Sequence, residues 1–170
     1  MNKTQVRKSE MTRPATKHTL ASSTESVANI LEREQDALIH DWLALVEEQE
    51  DLMSIPLSYE ARTGHLPMLL RDVIARLRLQ VGTKAPLSAA ASHHGDLRCE
   101  QGYTVAMVVE ESRLLQVSLF TTLHKNTNSI EYSKLLPDVV TIADEVDAQL
   151  KQQMLCYMKA NAIQNKSALN

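Results

Sequence analysis

A chain of 170 residues with 18 lysines and arginines against 21 acids carries a formal charge of −3, which gives no electrostatic reason to expect nucleic-acid binding. Four glycines, five prolines and 4% aromatic residues are too few for a turn-rich or strand-rich fold, and the abundance of Leu, Ala, Val, Glu and Gln favours an all-α protein. No run of about 18 apolar residues offers a membrane span and no secretory signal with an apolar core is present. The two cysteines, Cys99 and Cys156, lack metal-ligand spacing and read as free thiols of a reducing, cytoplasmic compartment.

Residues 1–21 hold five bases and one acid, Glu10, with no helical apolar period. They predict a disordered basic tail, a solvated terminus rather than a transit peptide. Residues 22–165 read as one acidic helical-bundle domain. The first helix is expected from Ser22, whose spacing to Glu25 is that of a capping box, to about Glu50. Val27, Ile30, Leu31, Leu38, Ile39, Trp42, Leu45 and Val46 recur along it at helical spacing, and Trp42 is its core anchor. After a connection at 52–57, Ser58 starts a second helix reaching about Val81. Its apolar face is Leu66, Leu69, Leu70, Val73, Ile74 and Leu77, and Gly64 and Pro67 predict a bend or restart inside it. Residues 82–86 are a break. Ser88 opens the third and longest helix, to about His124, and a polar turn over 125–129 leads to a last helix from about Ile130 to Asn165, in which Pro137 marks a restart.

Four long amphipathic helices joined by short connections predict an antiparallel bundle. The third and fourth carry more apolar surface than one four-helix core needs, which predicts a homodimer.

The chemistry concentrates in the third helix. Projected at about 100° per residue, Leu97, Val105, Val108, Leu115 and Leu119 form one apolar stripe, and His94, Arg98 and Gln101 fall on that same stripe. A buried polar cluster is costly unless every member is bonded, so these three are expected to bond acids or carbonyls inside the bundle. On a continuous helix Glu111 lies three and a half turns from Arg98 and about 80° off the stripe. A carboxylate for Arg98 would then have to come from another helix or another protomer. Tyr103 projects to the far side unless Gly102 kinks the helix. Gly95 leaves room for close approach of a second helix.

Catalytic templates are missing. There is no Glu-x-x-His pair for a di-iron site, no His-Glu-x-x-His and no Gly-rich phosphate loop. Cys99 lies five and six positions from His94 and His93, a spacing that does not aim thiol and imidazole at one point. No catalytic residue, cofactor or metal is expected. The alternative is histidine phosphotransfer: His93, 100° round from His94, is the better exposed phosphoacceptor of the two, with few neighbouring bases to hold a phosphoryl group.

The pattern His94-Gly95-x-x-Arg98-x-x-Gln101-Gly102-Tyr103, followed by Glu111 and Leu114-Leu115, resembles the N-terminal domain of the RsbRD type. That domain belongs to a co-antagonist of the kinase RsbT, and similar domains stand at the front of many bacterial sensor histidine kinases. The resemblance runs from roughly Glu25 to Tyr157, with Trp42 and Leu66-Pro67-x-Leu69-Leu70 also fitting. Ser112, where an aromatic is expected, and Gln116, where an arginine is expected, depart from it. It implies a non-catalytic sensory or regulatory domain in bacterial signal transduction, of the two-component or stress-response kind, with His94, Arg98, Gln101, Gly102, Tyr103 and Glu111 as its ligand or interaction cluster. Since the chain carries no kinase core, the expected partner is a signalling protein met in trans, a kinase or an anti-sigma-type regulator. No nucleic acid or membrane is expected among its partners. A plain structural interaction bundle is the remaining alternative.

Overall fold

A computed structural model describes residues 24–80, 83 and 86–167. The expected basic tail and the Ser22 cap lie outside the described residues. The described chain is all-helical. Each of the first three expected helices is divided in two, and the last runs unbroken.

The first helix becomes α1 (Val27–Arg33) and α2 (Gln35–Glu47). Ser26 caps α1, accepting from the Asn29 amide. The step at Glu34 costs little backbone bonding, because its amide still reaches Ile30 and its carbonyl still takes Leu38. A short α3 (Glu50–Met53) follows. Glu25 pairs with the segment around Ile130: its amide donates to the Ser129 carbonyl at 2.7 Å and its carbonyl accepts from Glu131. The start of the first helix is thereby tied to the entry of the last.

The second helix restarts where expected. α4 (Tyr59–Thr63) is capped by Ser58, and α5 (Leu66–Arg78) begins with Pro67 in its first turn, where a missing amide costs nothing. The third departs from expectation. Instead of one helix from Ser88 to His124, α6 (Ala89–Glu100) ends at Gln101 and α7 (Val105–Lys125) starts afresh after a Thr104 cap. A 3-10 turn at Thr127–Ser129 leads to α8 (Tyr132–Ser167), which runs through Pro137 without the expected restart.

α6 packs chiefly on α8, α2 on α7 and α1 on α5, and α8 also meets α5 and α7. The core they enclose contains Ile30, Leu31, Leu38, Trp42, Leu69, Val73, Val108, Leu119 and Ile142. At Gly95 the backbones of α6 and α8 come close together. A Cβ built there would lie 2.1 Å from the Gln153 carbonyl oxygen, so only glycine permits this contact, as its place in the sequence predicts. No helix among the described residues is long and apolar enough to cross a membrane. Cys99 and Cys156 are free thiols, Cys99 buried and Cys156 half-buried.

Candidate functional site

The site is built on the break between α6 and α7. Gly102 has φ of +81°, a conformation that costs glycine nothing and other residues roughly 1–2 kcal/mol. Its amide bonds the Cys99 carbonyl and the Tyr103 amide bonds the Arg98 carbonyl. These two bonds close a helix end of the Schellman type, which turns the residue after the glycine back onto the last turn. Tyr103 therefore lies against Arg98, its ring centroid 4.7 Å from the guanidinium carbon. The far-side position expected of Tyr103 on a straight helix does not arise. The sequence holds the signal for this break: a glycine followed two residues later by Thr104, a helix stop and a helix start in succession.

The same break brings Glu111 back to Arg98. On the restarted α7 its carboxylate faces α6 and accepts from Arg98 Nε at 2.8 Å and Nη2 at 3.0 Å. Arg98 is fully buried. Its remaining donors reach the Ala61 carbonyl at 3.0 Å, the Arg62 carbonyl at 3.0 Å and the Gln101 side-chain oxygen at 2.6 Å. All five N–H groups of a guanidinium are thus engaged. The expected inward direction and acid and carbonyl partners hold for Arg98, whereas Gln101 is half-buried and its side-chain oxygen accepts from Arg98 rather than bonding another helix.

Two members of the cluster were not legible in the sequence. Arg62 of α4 is buried, and its guanidinium donates to the Leu52 and Ile55 carbonyls and to the Tyr103 hydroxyl. Those oxygens carry no formal charge. His65, at the joint between α4 and α5, stacks on His94 with ring centroids 3.8 Å apart and planes inclined by 18°, and meets the Trp42 ring edge-on at 6.0 Å. Trp42 in turn donates its indole N–H to the Glu111 carbonyl at 3.2 Å, and Tyr157 of α8 donates to the Tyr103 carbonyl at 2.6 Å. The cluster therefore joins α2, the α4–α5 joint, α6, α7 and α8.

Its electrostatics follow from two buried arginines and one carboxylate. Burial pushes the Glu111 carboxyl up, but its contacts with His94 and Arg98 outweigh that, and it is held below the usual carboxylate range. His94 Nε2 lies 3.3 Å from Glu111 Oε2. Burial nonetheless lowers the His94 pKa, with Glu111 opposing and Arg98 assisting the fall. His65 is lowered well below the ordinary histidine value by burial first, then by His94 and Arg98. Tyr103 is pushed up to about 12 by burial and by the charge of Glu111. At neutral pH both imidazoles are neutral, and His94 donates its Nε2 proton to Glu111. Its Nδ1, His65 Nδ1 and the Gln153 side-chain oxygen are buried without a partner. All three belong to residues lining a cavity of about 10 Å3, the size of one water molecule.

This arrangement does not favour a reaction. A substrate needs space beside an activated group, and the cavity has none. A wider groove of about 370 Å3 lies on the flank of α5, lined by Arg71, Asp72, Arg76, Leu87 and Glu145 among others, and no motif residue lines it. His65, His94 and Glu111 do offer ligand atoms within 4.8 Å of one another. But two imidazoles stacked this close to parallel cannot point lone pairs at one ion at ~2 Å, and Glu111 is already engaged by Arg98. Of the two histidines considered for phosphotransfer, His93 is exposed and His94 is buried. Compared with family models, curated proteins and solved structures, the chain matches none.

Proposed function

We propose that this chain is a non-catalytic sensory or regulatory domain of bacterial signal transduction, working in the cytoplasm on a partner protein in trans. Its four helical arms are read as an antiparallel bundle, and its working form as a homodimer. The observation that carries this reading is the cluster itself. The residues of the motif that resembles the RsbRD-type N-terminal domain, His94, Arg98, Gln101, Gly102, Tyr103 and Glu111, form one bonded unit around a helix break, with His94, Arg98, Tyr103 and Glu111 buried and space for a single water beside it. A unit of that kind sets the relative position of several helices. It does not receive a substrate. A kinase or an anti-sigma-type regulator is the partner class the resemblance suggests.

The test is reconstitution. Purified chain is added to the kinase or anti-sigma-type regulator encoded beside it, and the partner's output is measured with and without the chain. A change in output that Glu111→Gln diminishes is the expected result. Binding with no change in output favours a plain interaction bundle. His93, exposed on α6, sustains the phosphotransfer alternative. Incubation with acetyl phosphate and mass spectrometry decides it: phosphate on His93 that passes to a receiver domain would replace the non-catalytic reading.

A further inference from the structure

We infer that two copies of the chain associate through antiparallel pairing of their α8 helices, centred at the level of Gln149. The helix is long enough for this, about 54 Å at 1.5 Å per residue for its 36 residues. Along one side run Leu136, Val140, Ala143, Leu150, Met154 and Met158, separated by three-, four- and seven-residue steps that keep them on one face of the helix. Leu136, Val140 and Met158 are 72%, 61% and 62% exposed, and the others are half-buried at the edge of the core. The single polar interruption of this row is Asp147.

Charge selects the occupant and its direction. The first half of α8, to Gln149, contains Asp138, Asp144, Glu145 and Asp147 against Lys134 alone, whereas the second half contains Lys151, Lys159 and Lys166 and no acid. Acids near a helix start and bases near its end also suit the helix dipole, but that effect fades within the first and last turns. Asp144, Asp147 and Lys151 stand at the middle. None of the three makes an ion pair among the described residues.

In a parallel pair Asp147 would face Asp147, and the three lysines would face their counterparts. In an antiparallel pair the acidic half meets the basic half. Val140 and Met158 lie equally far on either side of Gln149, as do Asp147 and Lys151. The two-fold axis that sets Val140 against Met158 of the second copy therefore also sets Asp147 against its Lys151, and the pairing is self-complementary. A polar residue within such a row fixes register. Asp147 does this here, because its partner lysine is found in one alignment.

This inference rests on the homodimeric part of the proposed function, and its test uses no partner protein. Failure of the dimer would therefore be distinguishable from failure of the trans-acting reading. Light scattering on the full chain at tens of micromolar should give twice the 19.0 kDa of one chain. Val140→Glu and Met158→Glu should each give the single-chain mass with unchanged helical circular dichroism. Asp147→Lys and Lys151→Asp should each weaken the dimer by about tenfold, some 1.4 kcal/mol, and the double reversal should restore it. In a Cys156→Ser background, a Val140→Cys chain should form a disulfide with a Met158→Cys chain in preference to another Val140→Cys chain. Single-chain mass for the wild type, a dimer that survives Val140→Glu, no recovery in the double reversal, or crosslinking of Val140→Cys to itself would each overturn the proposal.

Discussion

Arg98 and Glu111 stand thirteen positions apart, on what the hydrophobic period presents as one helix, yet the guanidinium holds the carboxylate through two bonds of 2.8 and 3.0 Å. The contact exists because Gly102 ends one helix and Thr104 starts another. Net stabilisation from a buried ion pair is modest, but removing one partner strands the other charge and costs about 3–5 kcal/mol. Arg98→Ala and Glu111→Ala should each cost that much in urea melts, and the double substitution less than their sum. A loss below about 1 kcal/mol in either single variant would show that the pair is not buried as described.

The two glycines of the motif should fail for different reasons. At Gly95 a methyl group meets the Gln153 carbonyl of α8, so Gly95→Ala must push helices apart and should cost about 1–3 kcal/mol or more. At Gly102 no atom lies within 4 Å of an added Cβ. The cost there is conformational, about 1–2 kcal/mol for alanine and less for asparagine, which tolerates positive φ. Thermal melts of Gly95→Ala, Gly102→Ala and Gly102→Asn separate the two causes. Equal losses for the alanine and asparagine variants at position 102 would contradict the backbone explanation.

Stability should fall on mild acidification. The pKa values of His65 and His94 are lowered in the folded chain, so the unfolded chain binds protons more readily below its ordinary value of about 6.5. Unfolding then takes up protons, and stability declines as pH drops below about 6.5. Glu111 adds a second loss at lower pH. Its folded pKa is depressed, so its contribution is present above the ordinary carboxylate range and disappears as pH falls through the folded value. His65→Phe, which keeps an aromatic ring between His94 and Trp42, should flatten the decline in melting temperature between about pH 7 and 5.5. An unchanged slope would remove His65 from this account.

Histidine accessibility should divide cleanly. His40, His93 and His124 are exposed, His65 is half-buried and His94 is buried. Diethyl pyrocarbonate on the folded chain, read by peptide mapping, should label the first three and spare His94 until denaturant is added. Early labelling of His94 would mean that the cluster opens in the native state.

Much of this protein is written in local sequence. The helical period of apolar residues comes from the 3.6-residue turn itself, so the all-helical character, the core role of Trp42, the restart at Pro67 and the inward direction of His94 and Arg98 are all legible without coordinates. Gly95 is legible for the same reason, since a residue without a side chain on a packed face marks where another backbone comes close. The partners of Arg98 are not legible that way. A glycine inside a helical pattern is compatible with either continuation or a stop, and the free-energy difference between the two is small enough for packing to decide. Tertiary structure chose the stop. That choice turned Tyr103 onto Arg98, returned Glu111 to the same point, and set the Tyr103 hydroxyl against Arg62 of α4, while His65 reaches His94 from the α4–α5 joint. These contacts depend on where separate helices cross, a long-range property that no local period encodes.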